Sequence, residues 1–100
     1  MAKYNLKIYP AALADLSDII DYLNTLSPET ATSCYDMIVE KIGSLAENPE
    51  RCPIAKDTQL RLRGYRTLFV NKYIVFYIVE NSTVKILRIL HARRQYERII

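Results

Sequence analysis

The sequence predicts an α+β fold: an N-terminal strand and an antiparallel helical hairpin packed on a small, mainly antiparallel sheet, in the order β-α-α-β-β-β. Apolar residues recur at helical spacing in the first half of the chain, and β-forming residues fill three runs in the second half. Short polar breaks separate those three runs. The chain has 100 residues, half of them apolar, so we expect one domain over residues 1–100.

The N-terminal elements are predicted to be a short strand and an amphipathic helix. Residues 4–9 (YNLKIY) carry β-forming side chains, and Pro10 ends the run. Residues 11–25 then repeat apolar side chains at helical spacing, at Leu13, Leu16, Ile19, Ile20 and Leu23. We expect the carboxylates of this helix to lie on its solvated side, at Asp15, Asp18 and Asp21.

A second helix is predicted after a very short link. Ser27 offers a hydroxyl to cap it, Pro28 fits its first position, and Glu29 lies near the positive end of its dipole. The helical period continues to about residue 47, and Pro49 lies just beyond. Because the link is short, the two helices should form an antiparallel hairpin.

The second half is predicted to begin with a surface connection that reaches Leu60 and to continue as a meander of three strands. The predicted strands are residues 61–70, 73–80 and 83–91. Asn71-Lys72 and Asn81-Ser82 separate them as hairpin turns would. The last strand is apolar on both faces, so we expect it to lie centrally. Residues 92–100 fit a short terminal helix.

Charge divides the chain into an acidic and a basic half. Residues 1–50 hold three cations against eight carboxylates, a net charge of −5, whereas residues 51–100 hold eleven cations against three carboxylates, a net charge of +8. A basic field of this kind attracts RNA, DNA or acidic peptides without specifying which of them binds. The alternative is a basic surface that is merely solvated.

Several classes of protein are disfavoured. The apolar runs are far shorter than the roughly 20 residues of a membrane span, and the N-terminus has no apolar signal region. Cys34 and Cys52 have no metal-ligand spacing, and His91 is the single histidine. We therefore expect a cytoplasmic chain with no membrane partner, no metal and no cofactor.

Two clusters of polar residues are candidates for chemistry. Arg61, Arg63 and Arg66 lie on the first strand of the meander, and a second cluster follows the last strand. The second cluster consists of His91, Arg93, Arg94 and Tyr96. Neighbouring strands can bring both clusters to one edge or face of the sheet. The sequence therefore permits one composite basic site.

These residue types match the requirements of RNA cleavage by a ribose 2′-hydroxyl, which needs a base, an acid and cations on the phosphate. Arg66 can hold the phosphate, His91 or Tyr96 can exchange protons, and Arg93 or Arg94 can add positive charge.

Each role has a plainer alternative. His91 is as readily a structural side chain, and Tyr96 can simply pack against the domain. Arg61 and Arg63 share one strand face by the two-residue period and favour binding contacts over catalysis.

The order of elements resembles the RelE/ParE superfamily over nearly the whole chain. The segments that carry the resemblance are PAALADLSDIIDYL, a second helix ending near NPE, LRGYRTLFV, YIVFYIV and VKILRILHARR. The resemblance implies a helical hairpin on a small sheet, as derived above. It also implies a toxin of a type II toxin-antitoxin system that inhibits growth in the bacterial cytoplasm and is neutralised by a cognate antitoxin.

The superfamily contains two kinds of toxin. RelE-like members cut messenger RNA in the ribosomal A site, and this resemblance implies a metal-independent endoribonuclease, our first hypothesis. Arg66 resembles the family's phosphate-binding arginine, while Arg93, Arg94 and Tyr96 resemble its C-terminal basic and tyrosine residues. Lys56 alone lies where the best nucleases carry a lysine cluster. ParE-like members instead poison DNA gyrase, our alternative, and a degenerate nontoxic member is a third possibility.

Overall fold

The computed structural model describes residues 3–93 and shows the predicted α+β fold with one additional short helix. The elements are β1 (Asn5–Ile8), α1 (Pro10–Leu26), α2 (Pro28–Ser44), a 3-10 turn (Pro49–Arg51), α3 (Thr58–Leu62), β2 (Arg66–Val70), β3 (Tyr73–Glu80) and β4 (Thr83–His91). The β-α-α-β-β-β order is thus confirmed, with α3 inserted before β2.

The four strands form one sheet in the order β1-β4-β3-β2. The β2–β3 and β3–β4 pairs are antiparallel, and β1 runs parallel to β4. Strand β4 therefore lies inside the sheet, as its apolar pattern predicted. Its register with β3 skips Leu87, because Phe76 pairs with Arg88 while Tyr77 pairs with Ile86. This bulge allows both Ile86 and Ile89 to join the core against the helices.

The helical hairpin covers one face of the sheet. Ser27 ends α1 by donating its backbone N–H to the carbonyl of Leu23, and its hydroxyl accepts from the N–H of Thr30 to cap α2. One residue therefore serves both helix ends, which forces the sharp reversal. The buried side chains between hairpin and sheet are Ala12, Ile38, Ile42, Leu45, Cys52, Leu68, Val70, Val75, Tyr77, Val84, Ile86 and Ile89.

A smaller cluster covers the opposite face of the sheet. It consists of Ala55, Leu60, Ile74, Phe76 and Leu90, with Tyr65 packed against it. Ala55, Leu60 and Tyr65 belong to the segment between α2 and β2. In this segment the carboxylate of Asp57 caps α3 by accepting from the N–H of Leu60 over 3.1 Å. The short helix α3 thereby fixes this segment on the sheet.

The predicted strand over residues 61–70 is wrong in its first half. Arg61 lies in α3, Arg63 follows it, and Gly64 turns the chain with φ +80° before β2 begins at Arg66. The two arginines therefore do not share a strand face. The predicted terminal helix also lies largely outside the described residues, which end with Ala92 and Arg93 in a turn after β4.

Candidate functional site

Arg66, the proposed phosphate ligand, holds the loop that follows α2. Its Nη1 donates to the carbonyl of Cys52 over 2.7 Å and to that of Glu50 over 3.3 Å. The side chain lies on the same face of β2 as Leu68, because these residues are two apart. Two of the five guanidinium donors are thus directed at backbone carbonyls, which fixes the side chain in place.

Tyr77, which pairs with Arg66 on the neighbouring strand, binds the same loop. Its buried hydroxyl donates to the carbonyl of Pro49. Burial raises the pKa of Tyr77, and a contact with Cys52 adds to the effect, so the phenol stays protonated and can keep donating. Together the two side chains satisfy three carbonyls of this loop, those of Pro49, Glu50 and Cys52, a role that sequence periodicity does not reveal.

Three other predicted binding residues, all cations, project into solvent from the segment before β2. Lys56 precedes α3, Arg61 lies within it, and Arg63 follows it, and all three are exposed. None of them forms an ion pair with another residue of the described chain. Their charge is therefore available to a partner.

His91, the proposed proton carrier, lies at the other end of the sheet. It pairs with Tyr73, whose ring it meets edge-on with 5.5 Å between centroids. Its Nδ1 accepts the backbone N–H of Arg93 over 3.1 Å, which favours the tautomer with the proton on Nε2. The first two residues after β4 thus turn back against the histidine.

The register separates the two proposed clusters. Arg66 pairs with Tyr77 and His91 with Tyr73, four residues apart on the intervening strand β3. At about 3.3 Å per residue and 4.8 Å between strands, the Cα atoms of Arg66 and His91 are roughly 16 Å apart. Proton transfer requires contact near 3 Å. The register therefore does not bring Arg66 and His91 into contact with each other, because β3 lies between β2 and β4, and their proposed roles at one site stay predictions.

The remaining residues of the second cluster are only partly within the described chain. Arg93 is exposed in the turn after β4, whereas Arg94 and Tyr96 lie outside the described residues. Their proposed roles stay predictions.

An open groove adjoins His91 between the helical hairpin and the β2–β3 turn. It has a volume of about 560 Å³ and is lined by Tyr22, Leu23, Leu26, Thr30, Cys34, Asn71, Lys72, Tyr73 and His91. Burial raises the pKa of the Cys34 thiol, which makes it a poor nucleophile at neutral pH. The groove is mainly apolar and aromatic, so it suits a protein side chain or segment better than a reacting phosphate.

Asp15 and Arg88 form a half-buried ion pair that sequence analysis missed. Arg88 donates Nε and Nη2 to the two carboxylate oxygens over 2.6 and 2.8 Å, and the Ile89 N–H donates to the same carboxylate over 2.9 Å. The bond to Asp15 raises the pKa of Arg88 further above its usual range. The expectation that Asp15 faces solvent is wrong. A charged residue inside an otherwise apolar strand was the signal that a carboxylate must lie nearby.

Metal and membrane sites do not emerge from residues 3–93. No cluster of three or more histidine, cysteine or acidic side chains in this range could hold a metal ion. None of the described helices combines the length and apolar character required to cross a bilayer.

Comparison with known proteins identifies the family. A sequence profile described as the ParE toxin of the type II toxin-antitoxin system parDE matches residues 6–96. This chain belongs to the ParE toxin family. The ParE/RelE resemblance drawn from the sequence is thereby confirmed, and the chain is a toxin of the type II class.

Individual relatives agree with this ParE-family assignment. Toxin RelE2 of Caulobacter vibrioides is 39% identical over 83 residues, which cover 83% of this chain and 89% of the relative. The ParDE toxin-antitoxin system of P. aeruginosa includes a chain that superposes with a TM-score of 0.78 at 26% identity, covering 91% of this chain and 98% of that one. The RelBE2 complex of Mycobacterium tuberculosis, at 24% identity and a TM-score of 0.62, covers 91% and 93% and shows the shared fold.

Proposed function

We propose that this ParE-family toxin pairs with a cognate antitoxin in the bacterial cytoplasm and arrests growth by binding and poisoning DNA gyrase, with no hydrolytic chemistry of its own. The observation that carries the proposal is the separation of Arg66 from His91. A nuclease needs its phosphate ligand and its proton carrier on one substrate, whereas a poison needs only a binding surface. The match to the ParE toxin profile supports the same choice.

The binding surface would be the basic segment before β2. Its exposed cations, Lys56, Arg61 and Arg63, form no ion pairs among the described residues and would approach an anionic protein or a protein–DNA complex favourably. Arg66 would support this surface indirectly, by holding the carbonyls of Glu50 and Cys52 in the loop that leads into it.

Cleavage of messenger RNA on the ribosome is the second candidate. The observation that favours it is the rigid placement of Arg66, whose Nε and Nη2 bond no described residue and so retain donors for a phosphate. In that case Lys56, Arg61 and Arg63 would contact the RNA backbone, and the proton carrier would have to come from residues beyond Arg93, such as Tyr96.

One pair of assays distinguishes the candidates. The purified chain, freed of antitoxin, would be added to gyrase with plasmid DNA and, separately, to a defined translation system in which message ends are mapped. We expect gyrase-dependent double-strand breaks and intact messages. Cuts at A-site codons that disappear with Tyr96→Phe would overturn the gyrase proposal, and inactivity in both assays would indicate a nontoxic member.

The basic surface can be tested in the same assays. The double variant Arg61→Ala, Arg63→Ala should reduce DNA breakage about tenfold, because it removes two exposed charges from the proposed interface. The matched control is Lys3→Ala, Lys41→Ala, which removes two exposed charges from the acidic half. Equal losses in the two double variants would assign the effect to net charge and reject this surface.

A further inference from the structure

The outer edge of β2 is covered over only half of its length. β2 is the last strand of the sheet, and the segment before it folds back along its start. Ile54 pairs with Arg66, and the Thr67 N–H donates to the carbonyl of Pro53 over 3.2 Å. Because alternate residues of an antiparallel strand direct their amides to opposite sides, the N–H and C=O of Phe69 face outward like the N–H of Thr67. No residue of the described chain covers them.

Apolar side chains flank this open edge. Phe69 is 60% exposed and Ile54 is 45% exposed, although both are large hydrophobic residues. A small groove of about 150 Å³ runs between them, lined by Pro53, Ile54, Ala55, Lys56, Asp57, Thr67, Phe69 and Ile74. Unpaired strand amides beside an apolar groove are the features by which an added strand is recognised.

Charge indicates the chemistry of the segment that would bind there. Lys56 lines the groove and Lys72 lies in the turn just after β2. Asp57 also lines it, but its carboxylate accepts from the N–H of Leu60 as the cap of α3. Lys56 forms no ion pair with a described residue, so its charge is open to an acidic side chain of a bound segment.

A second copy of this chain fits the same edge poorly. An antiparallel pair of β2 strands centred on Phe69 would place Asn71 and Lys72 of the second copy against Thr67 and Arg66. The segment starting at Pro53 already occupies that position, and Lys72 would meet a second cation. A short strand of another protein that begins beyond Thr67 would avoid both conflicts.

We infer that the open edge of β2 at Phe69 binds an extended, acidic segment of the cognate antitoxin as an added strand, with one apolar side chain of that segment in the adjoining groove. The inference rests on the proposed antitoxin partnership, and it holds whichever target the toxin has. It predicts that antitoxin binding converts the outward Phe69 amide from solvated to hydrogen-bonded.

Hydrogen exchange on the unsubstituted chain tests this directly. Exchange at single amides would be measured for the chain alone and for its complex with the cognate antitoxin. We expect the Phe69 amide to exchange quickly in the free chain and at least tenfold more slowly in the complex, with little change at Leu68, whose amide already faces β3. A complex that forms without slowing exchange at Phe69 overturns the inference alone. Failure of any complex to form overturns the antitoxin partnership as well.

A pair of substitutions separates the amide from the ring. Phe69→Ala removes the ring and keeps the N–H, whereas Phe69→Pro also removes the N–H without breaking a bond to β3. We expect the proline variant to bind the antitoxin about tenfold more weakly than the alanine variant. Equal affinities would show that the edge amide is unused. Thermal unfolding confirms that each variant is folded, and the exchange experiment stands if the proline variant is not.

Charge reversal provides an independent arm. Lys56→Glu should weaken antitoxin binding, and the loss should shrink at high salt because the effect is electrostatic. Lys41→Glu, an exposed cation at the end of α2, is the matched control. A free chain that elutes as a dimer and becomes monomeric with Phe69→Pro would instead assign the edge to a second copy and overturn the inference.

Discussion

Two stretches of strand edge, one on β4 and one on β2, differ in how completely the chain covers their backbone groups. On β4, the edge is paired with β1 only as far as the end of β1 at Ile8. Beyond that point α1 covers it, because the carboxylate of Asp15 accepts from the N–H of Ile89. On β2, the residues that start at Pro53 cover the edge only as far as Thr67. The stretch of β4 beyond β1 is closed by a carboxylate that accepts three hydrogen bonds, whereas the end of β2 is left open at Phe69.

This difference distinguishes edge residues that stabilise the fold from edge residues that are available for binding. Edge amides that a protein leaves solvated are available to other chains, whereas amides that a side chain satisfies become part of the fold. Substitutions on the β4 edge should therefore lower the free energy of unfolding, and substitutions at the open part of β2 should act mainly on association.

Removing the carboxylate that closes the β4 edge should have the largest effect. Asp15→Ala leaves the half-buried guanidinium of Arg88 and the N–H of Ile89 without their acceptor. We expect the free energy of unfolding to fall by about 2–3 kcal/mol, measured by urea denaturation. Asp15→Asn should lose less, because its amide oxygen can still accept from Ile89.

The matched control is on the same helix. Asp18→Ala removes an exposed carboxylate of α1 and should change stability by less than about 0.5 kcal/mol. Similar losses for the alanine variants at residues 15 and 18 would contradict a special role for the ion pair.

Removing the hydrogen bond that holds the loop beside β2 should have the second-largest effect on the free energy of unfolding. Tyr77→Phe removes the hydroxyl that donates to the carbonyl of Pro49, a buried residue. We expect a loss of about 1–2 kcal/mol in the free energy of unfolding. Faster hydrogen exchange at Ala55 and Thr67 should accompany it, because the loop leads into the cover of β2. Tyr73→Phe is the control, since the hydroxyl of Tyr73 bonds no described residue, and an equal loss there would reject the role of the loop.

Alkaline pH should weaken the same contact. Burial raises the pKa of Tyr77 above its ordinary value of 10, so the folded chain keeps a proton that the unfolded chain releases. The stability from this group is complete below about pH 10 and is lost as pH rises towards the folded value. Between pH 10 and 11, the unsubstituted chain should lose about 1 kcal/mol more than Tyr77→Phe, measured by denaturation at each pH. Parallel losses would show that Tyr77 ionises equally in both states.

The sequence predicts most of the fold because periodic patterns depend on local geometry. The helices predicted at 11–25 and from Pro28 onward were found within a few residues of those bounds, and the apolar pattern of the last strand placed it correctly inside the sheet. The error at Arg61 has a local cause. LRLR alternates as a strand does, but the cap at Asp57 and the turn at Gly64 favour one helical turn instead.

The candidate site was harder to predict because it depends on register and on the ends of elements. Arg66 and His91 belong to strands that the meander separates by β3, and one pairing register decides that they lie at opposite ends. Asp15 was assigned to solvent because helical periodicity gives only the direction around its own axis. Helical periodicity contains no information on the point at which β1 ends and its neighbour β4 becomes uncovered.

The smallest effect on stability is expected at the open edge itself. Phe69→Thr replaces a ring that is 60% exposed with a β-branched residue that suits a strand, so the free energy of unfolding should change by less than about 0.5 kcal/mol. Leu68→Thr, one residue earlier and only 8% exposed, should cost about 2 kcal/mol or more. Thermal unfolding of the two variants compares the faces of one strand. A large loss at Phe69 would mean that its ring stabilises the free chain. A negligible loss of stability combined with weaker antitoxin binding would mean that the exposed ring contacts the partner. Burial in the fold would then not explain why a large apolar residue occupies that position.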